Sequence, residues 1–378
     1  MGDDETTFVT DVVPAPEPVE TALFSHERTT PDEWNVRTAH ATTVALPLCA
    51  ITARSHVVTE PGSVKDRVRA SYDSGVARRD APAHAKRPSV LIGTGGTIAW
   101  DDRERHMLGA AELASLAGLE ADGVDLGAVP SYELDVPAMA AIARRITELA
   151  RDGATAIVVT TGTDTLEELA WTCQLLGTPH LLGTAAVVVT GAMRFLDHPQ
   201  SDGLGNLRAA MALATADGAR EFGVRVAFGS EVFDPRGLRK RDARALQPFD
   251  GAAPTAHPRV PPVRGFDVDT GVVLRKVGPI PTDGVPDELT GLVLEGLGAA
   301  HLPSRVFPVV DRLQARSIPV VLASRSRSWF RRDAEEKWIL EAGDLTAEQA
   351  AIALMVGLRE TQGWPALRDW WRNLEVCA

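Results

Sequence analysis

LIGTGGTIAW, residues 91–100, ends an apolar run in three glycines and two threonines before the chain becomes apolar again. AIVVTTGTDT, residues 156–165, has the same layout, since an apolar run ends there in Thr-Gly-Thr. Ligands of open parallel sheets bind beyond the carboxyl ends of the strands, so both turns are expected to face one crevice. Neither turn has the Lys-Ser/Thr of a phosphate-binding loop or a GxGxxG pattern, so a nucleotide is not favoured.

Further apolar, β-branched runs alternate with segments of helical periodicity. Continuous apolar runs are typical of parallel strands that are covered on both faces. Amphipathic segments follow Asp135 and Thr165, and Glu168 lies at capping-box spacing from Thr165. The alternation predicts an α/β fold, with a larger doubly wound, mostly parallel sheet domain followed by a smaller α/β domain. Strands are predicted at 90–93, 156–162, 185–192, 224–230, 291–298 and 319–324, and late helices at 346–360 and 364–374.

The composition changes along the chain and predicts its domain boundaries. Residues 1–87 are acidic and proline-containing at first and lack a clear apolar face later, which predicts a partly ordered or linker-like N-terminal extension. The larger domain is predicted at 88–272 and would carry the active site. A linker at 273–287 follows a Pro- and Gly-rich region, and the smaller domain would occupy 288–378.

Charge and cysteine usage narrow the classes of partner and cofactor. The 378 residues carry a formal net charge of −12, which argues against nucleic acid and anionic membranes as partners. No apolar stretch has the length of a membrane span, and the acidic N-terminus lacks a secretory layout, so we predict a cytoplasmic protein. Cys49, Cys173 and Cys377 lie far apart without a CxxC pattern. We therefore predict no metal and no cofactor.

The threonines in the two turns have two interpretations. A threonine hydroxyl becomes a nucleophile when a base takes its proton and donors stabilise the oxyanion. Each threonine can also simply cap the helix that follows its turn. Two such turns in one sheet favour chemistry over capping, but their spacing alone names no reaction.

Five collinear segments resemble the bacterial L-asparaginase family. GTGGTIA (93–99) and TTGTDTLEE (160–168) are similar to its two signature motifs. The resemblance extends over roughly residues 88–360, and it implies the asparaginase fold and hydrolysis of an amide through a threonine acyl-enzyme. The other three segments are VVVTGAMRFLDHPQSDGLGNLRAA (187–210), VAFGSEVFDPRGLRKRDARALQPF (226–249) and GDLTAEQAAIALMVGL (343–358).

The resemblance also implies the catalytic residues. Thr97 matches the nucleophile that attacks the amide. Thr163, Asp164 and Lys240 match the second catalytic group, and Asp164 would also receive the α-amino group of the substrate as a carboxylate facing an ammonium. A lysine that acts as a base must be neutral at least transiently. Without the resemblance, Lys240 reads as one solvated charge among several.

The resemblance also implies four substrate-binding positions, Ser131, Tyr132, Ala192 and His301, and one further catalytic candidate, His106. Ser131 matches the residue that receives the α-carboxylate, and Tyr132 follows where the family has a small or amide residue. Ala192 matches a position whose backbone carbonyl faces the scissile amide. His106 stands where the family has a loop tyrosine, and it is either a proton-transfer group or a surface residue. His301 replaces an asparagine that reaches the active site of a neighbouring subunit.

Three functions stay open. The first is an asparaginase-like amidohydrolase that converts an Asn-type side-chain amide to carboxylate and ammonia, with a small amide or a peptide as substrate. The second is a specialised amidase or acyl-transfer enzyme of a biosynthetic pathway that acts on a larger amide. The third is a homologue that binds an amino acid without turnover. The resemblance further implies a homo-oligomer, either a dimer or a tetramer.

Overall fold

The computed structural model describes residues 89–258, 260–279, 285–286, 288–326 and 339–375. The predicted extension at 1–87 lies outside the described residues. The elements that precede residue 251 are β1 (Ser89–Gly93), β2 (Trp100–Asp101), β3 (His106–Met107), α1 (Ala110–Ala117), β4 (Asp122–Asp125), α2 (Val136–Arg151), β5 (Ala156–Thr160), α3 (Leu166–Leu181), β6 (Ala186–Thr190), α4 (Gly203–Thr215), β7 (Val224–Phe228), β8 (Glu231–Phe233), β9 (Arg239–Lys240) and β10 (Phe249–Asp250).

The larger sheet has six strands in the order β4-β1-β5-β6-β7-β8. All neighbours are parallel except β7 and β8, which are antiparallel. Successive residues of β1 face opposite sides, so Ile92 packs with α2 and α3 while Leu91 packs with α1 and α4. Covering on both faces explains why the central strands are continuous apolar runs.

The smaller sheet has four parallel strands in the order β11-β12-β13-β14. Part of the segment 273–287, predicted as a linker, lies in β11, because Val272 and Val273 pair with β12. The smaller sheet therefore begins before that segment. The later elements are β11 (Val272–Lys276), β12 (Gly291–Gly296), α5 (Phe307–Ala315), β13 (Val320–Ser324), β14 (Ile339–Glu341), α6 (Ala347–Glu360) and α7 (Gly363–Glu375).

Helix α6 joins the two sheets through one continuous core. It packs on one face of the smaller sheet and against α3 of the larger domain. The buried indole of Trp171 in α3 donates to the carbonyl oxygen of Gln349 in α6 at 3.0 Å. The predicted α/β fold, with a larger mostly parallel sheet and a smaller second sheet, is confirmed. In the described part of the chain, every helix is too short or too polar to cross a membrane.

Candidate active site

The two glycine turns lie side by side because β1 and β5 are neighbours. Gly93 is in register with Thr160 at the carboxyl ends of these strands. From β1 the chain continues to β4 on one side of β1, and the next strand, β5, lies on the other side. Where the strand order reverses in this way, a crevice opens at the carboxyl ends of the strands. The backbone N–H and the hydroxyl of Thr94 each donate to the Thr160 carbonyl oxygen at 3.1 Å. The turns are therefore joined.

Glycine is needed where the two turns meet. Gly95 and Gly96 have φ values of +100° and +86°, which residues with a side chain rarely adopt. A Cβ atom on Gly96 would lie 2.2 Å from the backbone nitrogen of Gly162. A Cβ atom on Gly162 would in turn lie 2.7 Å from Oγ of Ser131. The two glycine turns and the segment that carries Ser131 therefore lie closer together than side chains at Gly96 and Gly162 would allow.

These segments form one wall of a cavity of about 490 Å³. Thr97 begins a short 3-10 turn and is half-buried at the cavity wall, whereas Ile98 and Ala99 turn into the core. The cavity is lined by Gly96, Thr97, Trp100, Met107, Ala128, Pro130, Ser131, Tyr132, Gly162, Thr163, Asp164, Ala192, Met193, Phe195, Lys240 and Ala243.

Lys240 links the polar side chains of the cavity. Its Nζ donates to Oγ1 of Thr163 at 2.8 Å and to Oδ1 of Asp164 at 2.8 Å. The Lys240 side chain is 16% exposed and that of Asp164 is 59% exposed. A partly exposed ion pair adds little to stability, so its main effect is to fix the geometry of the three groups. The short β9–β10 ladder brings Lys240 to this place, where it pairs with Phe249.

Ser131 ties the second glycine turn to the adjacent 3-10 turn, Ser131–Glu133. It is buried, and its Oγ accepts a hydrogen bond from the backbone N–H of Asp164 at 3.2 Å. Its carbonyl oxygen accepts a hydrogen bond from the Thr165 hydroxyl at 2.7 Å. Ser131 therefore lines the cavity while it holds the turn that carries Asp164. The capping box predicted for Thr165 and Glu168 is wrong, because the Thr165 hydroxyl bonds Ser131 and makes no cap bond.

Two partly buried glutamates, Glu167 and Glu168, lie at the start of α3, and Glu167 holds the backbone of Lys240. Oε1 of Glu167 accepts a hydrogen bond from the Lys240 backbone N–H at 3.1 Å. Burial raises the pKa of Glu167, against the opposing effect of backbone hydrogen bonds. Burial and then the charge of Glu167 raise the pKa of Glu168 to about 8, and Glu348 at the start of α6 adds to both pKa shifts. The sequence assigns no role to Glu167, because its partner lies 73 positions away.

His106 does not reach the cavity. It lies in a two-stranded hairpin in which Trp100 pairs with Met107 and Asp101 pairs with His106. Side chains alternate between the faces of such a ladder. Trp100 and Met107 line the cavity, whereas His106 is exposed on the other side. Of the two sequence interpretations of His106, the structure fits the surface residue, and the assignment of His106 as a catalytic group is corrected.

Two large rings stand at the mouth of the cavity. Tyr132 is 66% exposed and Phe195 is 44% exposed, and both line the cavity. Backbone contacts join the Phe195 segment to the hairpin, since the N–H of Leu196 donates to the carbonyl of Trp100 at 3.0 Å. Tyr132 thus lies where the sequence predicts a substrate-binding residue, while Phe195 was not foreseen.

A hydrogen-bonded support fixes the backbone around Ala192, which is fully buried at the cavity wall. The Asp202 carboxylate accepts hydrogen bonds from the backbone N–H groups of Met193 and Arg194 at 3.0 Å. The Asn206 amide donates to the carbonyl of Gly191 at 2.9 Å. Asp202 belongs to the SDG sequence and Asn206 to the NL sequence of the third segment that resembles the family. The sequence assigns a role to neither residue.

His301 lies apart from this cavity. It is exposed in the smaller domain, where its backbone forms an isolated bridge with Leu297. The role implied for it requires a neighbouring subunit, so that role stays a prediction. Among the described residues, no group of three His, Cys, Asp or Glu side chains is placed to hold a metal ion.

Comparison with known proteins places this site in a family. The family model "Asparaginase, N-terminal" matches residues 90–263, and "Glutaminase/Asparaginase C-terminal domain" matches residues 283–371. A "Probable L-asparaginase" of Deinococcus radiodurans is 32% identical over 265 residues, which cover 63% of this chain and 80% of that protein. The chain belongs to the asparaginase family.

Two further similar proteins are an amidotransferase subunit and an L-asparaginase of known structure. A glutamyl-tRNA(Gln) amidotransferase subunit of Aeropyrum pernix is 28% identical over 343 residues, covering 75% of this chain and 78% of that protein. A solved structure, "Probable Cytoplasmic L-asparaginase from Campylobacter jejuni", has a TM-score of 0.63 at 22% identity. The match covers 75% of this chain and 98% of the solved chain, and this similarity supports the fold.

Proposed function

We propose that this asparaginase-family chain is an amidohydrolase that converts an Asn-type side-chain amide to a carboxylate and ammonia through an acyl-enzyme on Thr97. One observation carries the proposal: Thr97 lines the same cavity as the bonded group of Lys240, Thr163 and Asp164. A threonine nucleophile requires a proton acceptor close to the substrate, and this group is the candidate acceptor.

The first half of the reaction forms the acyl-enzyme. Oγ1 of Thr97 bonds to the amide carbonyl carbon while its proton passes through Thr163 and Lys240 to the amide nitrogen. The C–N bond then breaks and ammonia leaves. Lysine accepts a proton only as the neutral amine, so Lys240 must first release its ammonium proton, while Asp164, 2.8 Å from Nζ, stays ionised and holds the amine in place.

The second half of the reaction releases the carboxylate. Water attacks the ester carbonyl carbon, and the same group accepts the proton of the water. That proton returns to Oγ1 of Thr97 as the ester bond breaks, which restores the enzyme. Backbone N–H groups of the glycine turns stabilise the oxyanion in both halves, since glycine lets the backbone approach the substrate.

Three further groups position the substrate in this proposal. The hydroxyl of Ser131 receives the α-carboxylate end, with Tyr132 beside it, and Asp164 receives the α-amino group as a charge-assisted partner. The carbonyl of Ala192 accepts from the scissile amide. A dimeric or tetrameric assembly, a cytoplasmic location and a contribution of His301 from a neighbouring subunit complete the proposal.

Ammonia release from L-asparagine, L-glutamine and an Asn-containing peptide tests the assignment. Thr97→Val keeps the size of the side chain and removes the nucleophile, so release is expected to fall by at least about a thousandfold. Thr184→Ala, on the exposed surface, is the matched control and should leave release unchanged. Persistent release by Thr97→Val would overturn the nucleophile.

The same assay separates the alternative functions. Release from the peptide but not from free asparagine would favour a specialised amidase or acyl-transfer enzyme. Binding of asparagine without release of ammonia would favour a non-catalytic homologue. The exposed rings of Tyr132 and Phe195 in the cavity lining are the observation that supports a larger amide as substrate.

A further inference from the structure

The lining of the active-site cavity divides into two chemically different parts. The polar part holds three hydroxyls and a single pair of opposite charges that bond each other: Thr97, Ser131, Thr163, Asp164 and Lys240. The apolar part consists of large side chains: Trp100, Met107, Tyr132, Met193 and Phe195. A charged amino acid amide has partners in the polar part alone, because burying a charge without a partner is costly.

The volume of the cavity exceeds what free asparagine occupies. Asparagine has nine non-hydrogen atoms, which at the volume of one liquid water each fill roughly 270 Å³. The cavity is about 490 Å³. The cavity therefore has room for a further side chain beside asparagine, and its lining includes the large side chains of the apolar part.

Hydrogen bonds fix the hairpin and the neighbouring segment that carry several side chains of the apolar part. The indole nitrogen of Trp100 donates to Asp102 at 3.1 Å, so its polar edge is satisfied outside the cavity. The Trp100 carbonyl accepts from Leu196, and the Asp102 N–H donates to Asp197 at 3.2 Å. These bonds join the hairpin that carries Trp100 and Met107 to the segment that carries Phe195, so the backbone of both segments is fixed beside the cavity.

Tyr132 and Phe195 are exposed large side chains that both line the cavity. Six large apolar side chains among the described residues are exposed, and Tyr132 and Phe195 are the two that line the cavity. Apolar rings at the mouth of a concave site are typical of ligand contact. The other four exposed side chains lie elsewhere on the surface: Leu116, Leu182, Leu246 and Phe307.

We propose that the substrate carries an apolar, aromatic-sized substituent on the α-carboxyl side of its Asn-type amide, and that Tyr132 and Phe195 bind this substituent. The proposal rests on the function proposed above. The α-carboxyl side follows because Tyr132 comes directly after Ser131 in one 3-10 turn, and Ser131 receives that end of the substrate. An asparaginyl peptide whose next residue is aromatic has this chemistry.

Two matched dipeptides test the proposal. L-asparaginyl-L-phenylalanine and L-asparaginyl-glycine differ only in the benzyl group, and ammonia release from each gives kcat/KM. We expect the full-length chain to favour the phenylalanine dipeptide by at least about tenfold, since burying part of a ring has this effect. Tyr132→Ala and Phe195→Ala should each reduce this ratio at least about threefold. Phe307→Ala, at an exposed ring outside the cavity, should leave it unchanged.

A binding measurement separates failure of this proposal from failure of the proposed function. Thr97→Val is titrated with the two dipeptides in a calorimeter, where tighter binding of the phenylalanine dipeptide with a negative heat-capacity change supports the substituent site even if no ammonia is released. Equal affinity and equal kcat/KM for the two dipeptides would overturn the substituent site and leave the amidohydrolase assignment intact. Light scattering covers the remaining case: if Tyr132→Ala changes the molar mass and leaves the dipeptide ratio as it was, the ring belongs to a contact between copies and the proposal is wrong.

Discussion

Replacing Glu168 with glutamine should change how the stability of this chain depends on pH. One carboxylate oxygen of Glu168 is buried without a hydrogen-bond partner, and burial with the charge of Glu167 raises its pKa to about 8. The ordinary pKa of the group is 4.5. Between these values the folded chain holds a proton that the unfolded chain has lost. The free energy of unfolding of the wild type therefore falls as the pH rises through this range.

The magnitude follows from the linkage between protons and folding. One proton held only by the folded chain changes the free energy of unfolding by about 1.4 kcal/mol for each pH unit. Between pH 5 and pH 7 the wild type should therefore lose about 3 kcal/mol relative to Glu168→Gln, which cannot ionise. The two proteins should approach each other in stability only below pH 4.5, where the carboxyl of Glu168 becomes neutral in the unfolded chain as well as in the folded chain.

Urea unfolding followed by tryptophan fluorescence at pH 5, 6 and 7 measures this difference. Glu120→Gln removes a glutamate from the exposed surface, and it should parallel the wild type at each pH. A constant difference between Glu168→Gln and the wild type across the range would refute the reasoning, because the carboxyl would then be ionised in the folded chain throughout.

Three other changes have outcomes that the structure fixes. Gly96 has a φ of +86°, and the Cβ atom of Gly96→Ala would lie against the backbone of Gly162, so ammonia release should fall at least about a hundredfold. Gly118→Ala is the control: at a φ of +68° its Cβ atom meets no neighbour, and the substitution should lower the free energy of unfolding in urea by only about 1–2 kcal/mol. Asn206→Ala removes three hydrogen bonds of a buried amide and should lower the free energy of unfolding by about 2–4 kcal/mol, again measured in urea. His106→Phe should leave ammonia release within about twofold, and a tenfold fall would show that His106 takes part in proton transfer.

Much of the fold could be predicted because it depends on local patterns. Continuous apolar runs gave the parallel strands, and the paired glycine turns gave the place of the cavity at the carboxyl edge. The helix at 346–360 was predicted in the right place, and a true capping box starts it, with Thr346 accepting from the backbone of Gln349 at 3.0 Å. At Thr165 the same kind of pattern misled, because a carbonyl distant in sequence competed for the hydroxyl.

The parts of the site that could not be predicted depend on contacts across long separations or on register. The bond between Glu167 and the Lys240 backbone exists only once β9 has packed against α3. Whether His106 or Met107 faces the cavity is decided by the register of a two-residue ladder, and a shift of one residue exchanges their faces. Phe195 becomes a lining residue through the backbone bond between Leu196 and Trp100.

The central claim is that Thr97 carries the acyl group during turnover, and mass spectrometry tests it most directly. The enzyme is mixed with L-asparagine or an asparaginyl dipeptide, quenched in acid within the first turnovers, digested and sequenced. An ester on the peptide of residue 97 that is lost in Thr97→Val is the predicted result. An acyl group on another residue, or ammonia release that Thr97→Val retains, would contradict the account.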